Sequence, residues 1–226
     1  MSPTEVAFDL EPQDADLAPS RFVDSDHPDV VARAMAITAG LPTERARAVA
    51  LFESVRDGIR YDPYSVSHDP DDYRASAVLA GSQRWCTPKA VALVAQARAT
   101  GIPARLGFAD VRNHLQSAKL AERMGTDLFA WHGYAVMWLD GAWRKASPAF
   151  NRELCERFGT KILVFDGRSD ALLHAVDQSG RRHMEYVRDR GIHRDLPLDD
   201  IFATFADAYS TISADGPVHD DLFHEA

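Results

Sequence analysis

The sequence predicts an α+β domain in which helices, one of them buried and beginning at Cys86, pack on an antiparallel sheet. Three observations carry this. From Cys86 to Ala99 the chain is built largely of Ala, Val and Leu with no interior glycine, the composition of a helix buried on most sides. Two helical patterns with apolar stripes precede it. Downstream, WHGYAVMWL runs into an Asp140-Gly141 turn and continues as AWRKAS, a strong hairpin signal.

At 226 residues the chain is long enough for one well-packed core, since domains of this size bury about three quarters of their unfolded surface. The expected organisation is one domain over 1–226: an extended acidic arm at 1–25, a core over about 42–200 and an acidic tail at 213–226. The net charge of -9 argues against a nucleic-acid partner, because phosphate binding needs a basic surface. The first 20 residues carry Glu5, Asp9, Glu11, Asp14 and Asp16 and lack the cationic start and apolar stretch of a signal peptide. No apolar run approaches the roughly 20 residues of a membrane-spanning helix. The expectation is a cytoplasmic protein with no membrane partner, its oligomeric state left open. Cys86 and Cys155 are the only cysteines, which excludes a disulfide framework and a four-cysteine metal site. Free thiols are expected in a reducing compartment.

In chain order, Val30, Val31, Ala34 and Ile37 have helical spacing between Pro28, suited to a first turn, and Gly40, suited to a stop. Thr43 opens a second helix with the stripe Ala46, Val49, Ala50 and Val55. IRYDPY is a short extended piece and a turn, and Tyr73 to Gly81 a short helical or irregular approach to Cys86. Gly101 and Pro103 end the Cys86 helix, and ARLGFADV follows as a strand. A helical excursion is expected over Leu115 to Met124, then the hairpin, a short helix over Arg152 to Phe158, a strand at ILVFD, a mixed segment from Leu172 to Val187 and a helix over Leu198 to Tyr209. There is no internal repeat.

A cysteine at a helix N-terminus sits among unpaired backbone N–H groups and at the positive end of the helix dipole, so its pKa is expected to fall below about 8.5. That position suits a nucleophile. A thiolate that attacks a carbonyl also needs a histidine to carry the proton and N–H donors for the oxyanion. His132, at the expected start of a strand, is the candidate base.

The segments RWCTPKAVALVAQARATGIPAR and WHGYAVMWLDGAWRKASP together resemble the paired signature of transglutaminase-like cysteine enzymes, which share a papain-related core. The resemblance covers about Val55 to Pro148. It implies that Cys86 begins the buried helix, that His132 lies on the sheet and that chemistry proceeds by attack on an acyl group. Such families often carry an Asp just before the proline that follows the hairpin tryptophan. Here Ser147 holds that place. A hydroxyl can fix the imidazole tautomer but cannot stabilise an imidazolium as a carboxylate does. Two other residues are candidates for the orienting role: Asp110, at the end of a strand expected to run beside that of His132, and Asn151. For the oxyanion the candidates are the Cys86 N–H with Gln83 or Trp85, Gln83 being the expected side-chain donor. His114 and Trp131 are candidate cleft residues. Cys155 reads as packing.

His174, Asp177, His183 and Glu185 lack a recognised ligand spacing, and FDGRSD reads as a turn rather than a calcium loop, so no metal or cofactor is expected. The reading is a cysteine-dependent acyl-transfer enzyme acting on an acyl-bearing small molecule, peptide or protein. The alternative is a non-catalytic binding or scaffold module that kept the fold after its acid became Ser147.

Overall fold

The computed structural model describes residues 5–8 and 11–209. A two-residue strand β1 (Glu5–Val6) precedes α1 (Pro28–Thr38), which starts on a proline behind His27, whose ring accepts the Asp29 N–H. In α2 (Glu44–Gly58) the Thr43 hydroxyl caps the first turn by accepting the Ala46 N–H at 3.1 Å. Then come β2 (Arg60–Tyr61), α3 (Ala75–Ala80), β3 (Gln83–Arg84) and α4 (Cys86–Ala99). The second half holds β4 (Ala104–Asn113), α5 (Ala118–Met124), β5 (Leu128–Leu139), β6 (Ala142–Ala146), α6 (Arg152–Phe158), β7 (Met184–His193) and α7 (Leu198–Ala208). Among the described residues no helix is long and apolar enough to cross a membrane.

Five strands form one sheet in the order β1-β7-β4-β5-β6, every pairing antiparallel. Strands β2 and β3 form a separate parallel pair. Helix α4 lies between the sheet and a layer made by α1, α2 and α3, and from Cys86 to Arg98 all its residues are buried. Glycine makes the helix–sheet contact possible: a Cβ on Gly133 of β5 would come 2.8 Å from the Thr87 Cα. A glycine within a strand commonly marks such a close approach. Lys89, fully buried in the first turns of α4, donates to the carbonyls of Arg56 (2.9 Å), Ile59 (2.6 Å) and Ala149 (2.8 Å). Burial pulls its pKa down to about 7, while three carbonyl acceptors match the three N–H groups of an ammonium.

Three expectations need correction. The N-terminal arm is not a surface arm beyond Gln13: Phe22 and Val23 join the core, and Asp16 is buried and bridged to Arg105 (2.8 Å) and Arg194 (2.9 Å). The packed region therefore begins well before residue 42. The strand expected at ILVFD does not form. Its Leu163 carbonyl accepts from the Arg56 guanidinium at 2.8 Å instead of entering a ladder, and Val164 is exposed. The mixed segment gives way to β7, which continues six residues past Val187 to His193. The run Arg188-Asp189-Arg190 hides this strand because its middle lies exposed. The tail at 213–226 lies outside the described residues.

Candidate active site

The apolar sequence of α4 forces the helix into the core, and its first residue is carried with it: Cys86 is only 6% exposed. Strand β6 pairs with β5 only from Ala135 onward. The preceding backbone of β5 takes other partners, and the Gly133 N–H is turned to the Cys86 sulfur. Thr87 fixes the same junction, since its hydroxyl donates to the Trp131 carbonyl at 2.8 Å. Burial pushes the Cys86 thiol up, against the opposing pull of the N–H groups of Gly133, Thr87 and Cys86 and of the Thr87 hydroxyl. The low thiol pKa expected from the helix position is thus overturned: removal from water outweighs the helix end.

His132 is interior to β5 rather than at its start, because the strand begins three residues earlier than WHGYAVMWL. It is 4% exposed, and its Nε2 lies 3.1 Å from the Ser147 Oγ. Ser147 follows directly on β6, so the hairpin that aligns the strands also delivers the hydroxyl to the imidazole. The Tyr186 ring meets the His132 ring edge-on at 6.1 Å between centroids. Burial alone holds the imidazole down to about 4. No hydrogen bond joins the Cys86 sulfur to the ring; the two side chains share the wall of one cavity.

The other candidates are placed differently. Asp110 faces the start of β5 as the antiparallel register requires, but a bulge between Ala109 and Val111 interrupts the ladder there. Its carboxylate is held by Arg190 (2.8 and 2.9 Å) and accepts the Trp131 N–H at 3.0 Å, so it does not reach the imidazole. Asn151 is also drawn elsewhere, its Oδ1 accepting the Tyr61 N–H at 3.1 Å. Gln83, on β3, lines neither cavity that Cys86 faces. Trp85 does line one of them and is buried, its ring edge-on to that of Tyr73.

His114 is no cleft residue: its ring bonds to Glu185 at 3.0 Å while its neighbours Asn113 and Leu115 line the cavity. Besides His132, His183 lines that cavity, stacked on Phe150, and His68 lines the other one at Cys86. Trp131 belongs to a different hollow. It has a left-handed φ of 57°, and its indole donates to the Thr204 hydroxyl at 2.9 Å beside Arg190. A non-glycine residue in this region costs about 1–3 kcal/mol and persists only where the surroundings fix it. Here Asp110, Thr87 and Thr204 hold its N–H, carbonyl and ring.

Cys155 is buried and free. Asp177 is engaged by Ser179 and Arg181, and among the described residues no three His, Cys, Asp or Glu side chains converge as a metal site would require. The Asp166 carboxylate accepts the N–H groups of Arg168 and Ser169, which makes FDGRSD a turn.

A helix-borne thiol laid against a strand bearing histidine, with the strand's hairpin partner supplying the third group, coincides with a match to the family model of the transglutaminase-like superfamily over residues 31–148. The chain belongs to this superfamily. Among solved structures, this transglutaminase-like chain is similar to a presumed cysteine protease from Cytophaga hutchinsonii, with 17% identity and a TM-score of 0.51 over 83% of this chain and 49% of that one. A presumed protease from Parabacteroides distasonis gives 17% identity and a TM-score of 0.41 over 56% of this chain and 24% of that one. The transglutaminase-like chain spans about half the length of the Cytophaga protein, and the likeness is one of fold. No curated protein matches the chain.

Residue types alone did not mark Gly133 or Tyr186 as parts of this site. Gly133 carried a signal, a glycine inside an alternating strand next to the candidate base. Tyr186 carried none, because its strand was hidden.

Proposed function

We propose that this protein is a cysteine-dependent acyl-transfer enzyme in which Cys86 is the nucleophile, His132 the proton carrier and Ser147 the group that orients His132. The observation that supports this most is the shared cavity wall: Cys86 and His132 line one space, with the Gly133 N–H on the sulfur and the Ser147 hydroxyl on the imidazole Nε2.

With the thiol pushed up and the imidazole held down to about 4, the resting pair at neutral pH is neutral on both sides. The proton therefore passes to His132 as the sulfur attacks, instead of beforehand. With Nε2–H donating to the Ser147 hydroxyl, Nδ1 carries the free lone pair and is the acceptor for that proton. The sulfur lone pair forms the C–S bond, and the leaving group departs with its electron pair and takes the proton from His132. Water or an amine then releases the acyl group by the reverse path. The Cys86 N–H is one oxyanion donor, and Trp85, which lines a cavity at Cys86 where Gln83 does not, is the candidate for the second.

A non-catalytic binding module is the second reading, favoured by the absence of a carboxylate at the imidazole. Iodoacetamide labelling of Cys86 and Cys155 from pH 5 to 9, read by peptide mass spectrometry, tests the first reading together with acylation by a thioester. The expected result is a Cys86 rate that climbs about tenfold per pH unit from pH 7, in proportion to thiolate, and an acyl adduct on Cys86 alone. Labelling of Cys86 no faster than Cys155, with no adduct, would leave the binding module.

A further inference from the structure

Cys86 lines two neighbouring cavities. The smaller, of about 210 Å³, carries His132 together with the polar groups of Asn113, Gln116, Arg181 and His183. The larger, of about 680 Å³, falls in the range of small-molecule sites. Its wall is built mainly of rings and aliphatic chains, among them Trp85, Phe129, Phe202, Phe205 and Tyr209; His68 lines it as well, and among the described residues it contains neither a carboxylate nor a lysine nor an arginine. His132 lines only the smaller one.

Helix α7 closes the larger cavity with Phe202, Phe205 and Ala206, and its C-cap residue Tyr209 is spaced to fall on the same face. Two ties hold that face in place. The Tyr209 hydroxyl accepts the Ala130 N–H at 2.7 Å and donates to the Leu128 carbonyl at 3.0 Å, while Thr204 accepts from the Trp131 indole. Phe205 lies 5.7 Å from the Trp85 ring, so the wall is a packed aromatic surface beside the nucleophile.

Because the general acid must stand beside the departing atom, the leaving group lies in the cavity that contains His132. The acyl portion then has only the other one. A charged acyl chain there would lose its hydration against a wall that is mainly rings and aliphatic chains. We infer that the larger cavity is the acyl pocket, that it takes an uncharged aromatic or long aliphatic acyl group, and that the smaller one takes a compact polar amine or thiol leaving group. This rests on the acyl-transfer reading given above. The covalent step is the one already written: a C–S bond forms on Cys86, the bond to the leaving group breaks, and His132 returns the thiol proton to the leaving atom.

The test is single-turnover acylation of the full chain by N-acetylcysteamine thioesters, followed by intact-protein mass spectrometry. Four acyl groups are compared: acetyl, succinyl, 4-phenylbutyryl and decanoyl. The expected result is labelling by 4-phenylbutyryl and decanoyl at least tenfold faster than by acetyl, with succinyl slowest. The variant Ala206→Trp, which fills the pocket, should reduce the two large acyl groups about tenfold and acetyl less than about threefold. Equal rates for all four, or succinyl fastest, would overturn the pocket assignment. A parallel series of chloroacetamides, N-phenylbutyl against N-carboxymethyl, reads the same preference by alkylation. If the thioesters fail and the phenylbutyl reagent still leads tenfold, the pocket stands and acyl transfer falls; if neither series discriminates, the pocket itself is refuted.

Discussion

The cluster around Asp16 and the site around His132 are both buried, and they handle charge in opposite ways. Asp16 is fully enclosed, and its carboxylate receives Arg105 Nε at 3.0 Å, Arg105 Nη2 at 2.8 Å and Arg194 Nε at 2.9 Å. The Arg105 guanidinium also lies 3.9 Å over the Trp143 ring. Burial alone would raise the Asp16 pKa, but the hydrogen bonds from Arg105 and Arg194 outweigh it and the carboxyl sits below its ordinary value. Among the described residues His132 has no charged partner, its hydrogen bond being to the Ser147 hydroxyl, and burial wins. The difference shows what a carboxylate at position 147 would have supplied: a counterion able to hold a charge in the interior.

Breaking the Asp16 cluster should give the largest effect. Asp16→Ala leaves Arg105 buried without its counterion, and the expected loss is about 3–5 kcal/mol of unfolding free energy, measured by the shift of the urea midpoint. A loss under about 1 kcal/mol would mean that water reaches the guanidinium and that the cluster is not a closed one.

Acid sharpens the contrast, because the two regions respond in different windows. The folded pKa of His132, about 4, lies below the unfolded value of 6.5, so between these values the unfolded chain binds more protons. Its contribution is present in full above 6.5 and is lost as pH falls towards 4, on the order of 3 kcal/mol at most. His183 and His193, also held down by burial, add in the same direction. Asp16 has a lowered folded pKa as well, and its contribution is lost only at lower pH, below the ordinary carboxylate range. Denaturation curves taken from pH 7 to 4 should therefore show stability falling, and His132→Gln should flatten that slope. An unchanged slope in the variant would remove His132 as its source.

A smaller effect separates the two candidate orienting residues. Ser147→Asp places a carboxylate at 3.1 Å range of the ring nitrogen and should raise the alkylation rate of Cys86 near pH 7 about tenfold, as one pKa unit gives. Asp110→Asn keeps an acceptor for the Trp131 N–H and loses the ion pair with Arg190. It should cost about 1–2 kcal/mol of stability and leave the Cys86 rate within about twofold. Reversal of these two outcomes would return the orienting role to Asp110.

What was legible in the sequence was whatever local chemistry imposes. The apolar Cys86–Ala99 helix, the Thr43 cap, the Asp140-Gly141 hairpin and the juxtaposition of Ser147 with His132 all follow from patterns within a few residues. What was not legible depends on partners distant in the chain. Asp16 reads as one acid in a polar arm until Arg105 and Arg194 are beside it. Asp110 reads as an orienting acid until Arg190 takes it, and Arg190 lies on a strand whose charged middle hides it. The Cys86 pKa went the wrong way for the same reason, since the helix end is a local feature and complete burial is not.

Strand order also sets a schedule for synthesis. Cys86, His132 and Ser147 have all left the ribosome once residue 147 is clear, and β4, β5 and β6 are then free to pair. The second neighbour of β4 is β7, which is complete only at residue 193. Until then a central strand presents an open edge, the feature that invites pairing with other chains. Arg105, on that strand, likewise waits for Arg194 to join it at Asp16. At roughly 5–20 residues per second, the nascent chain spends roughly 2–9 s with its nucleophile, base and hydroxyl already made and the middle of its sheet uncovered, and it is in those seconds that a chaperone has the most to shield.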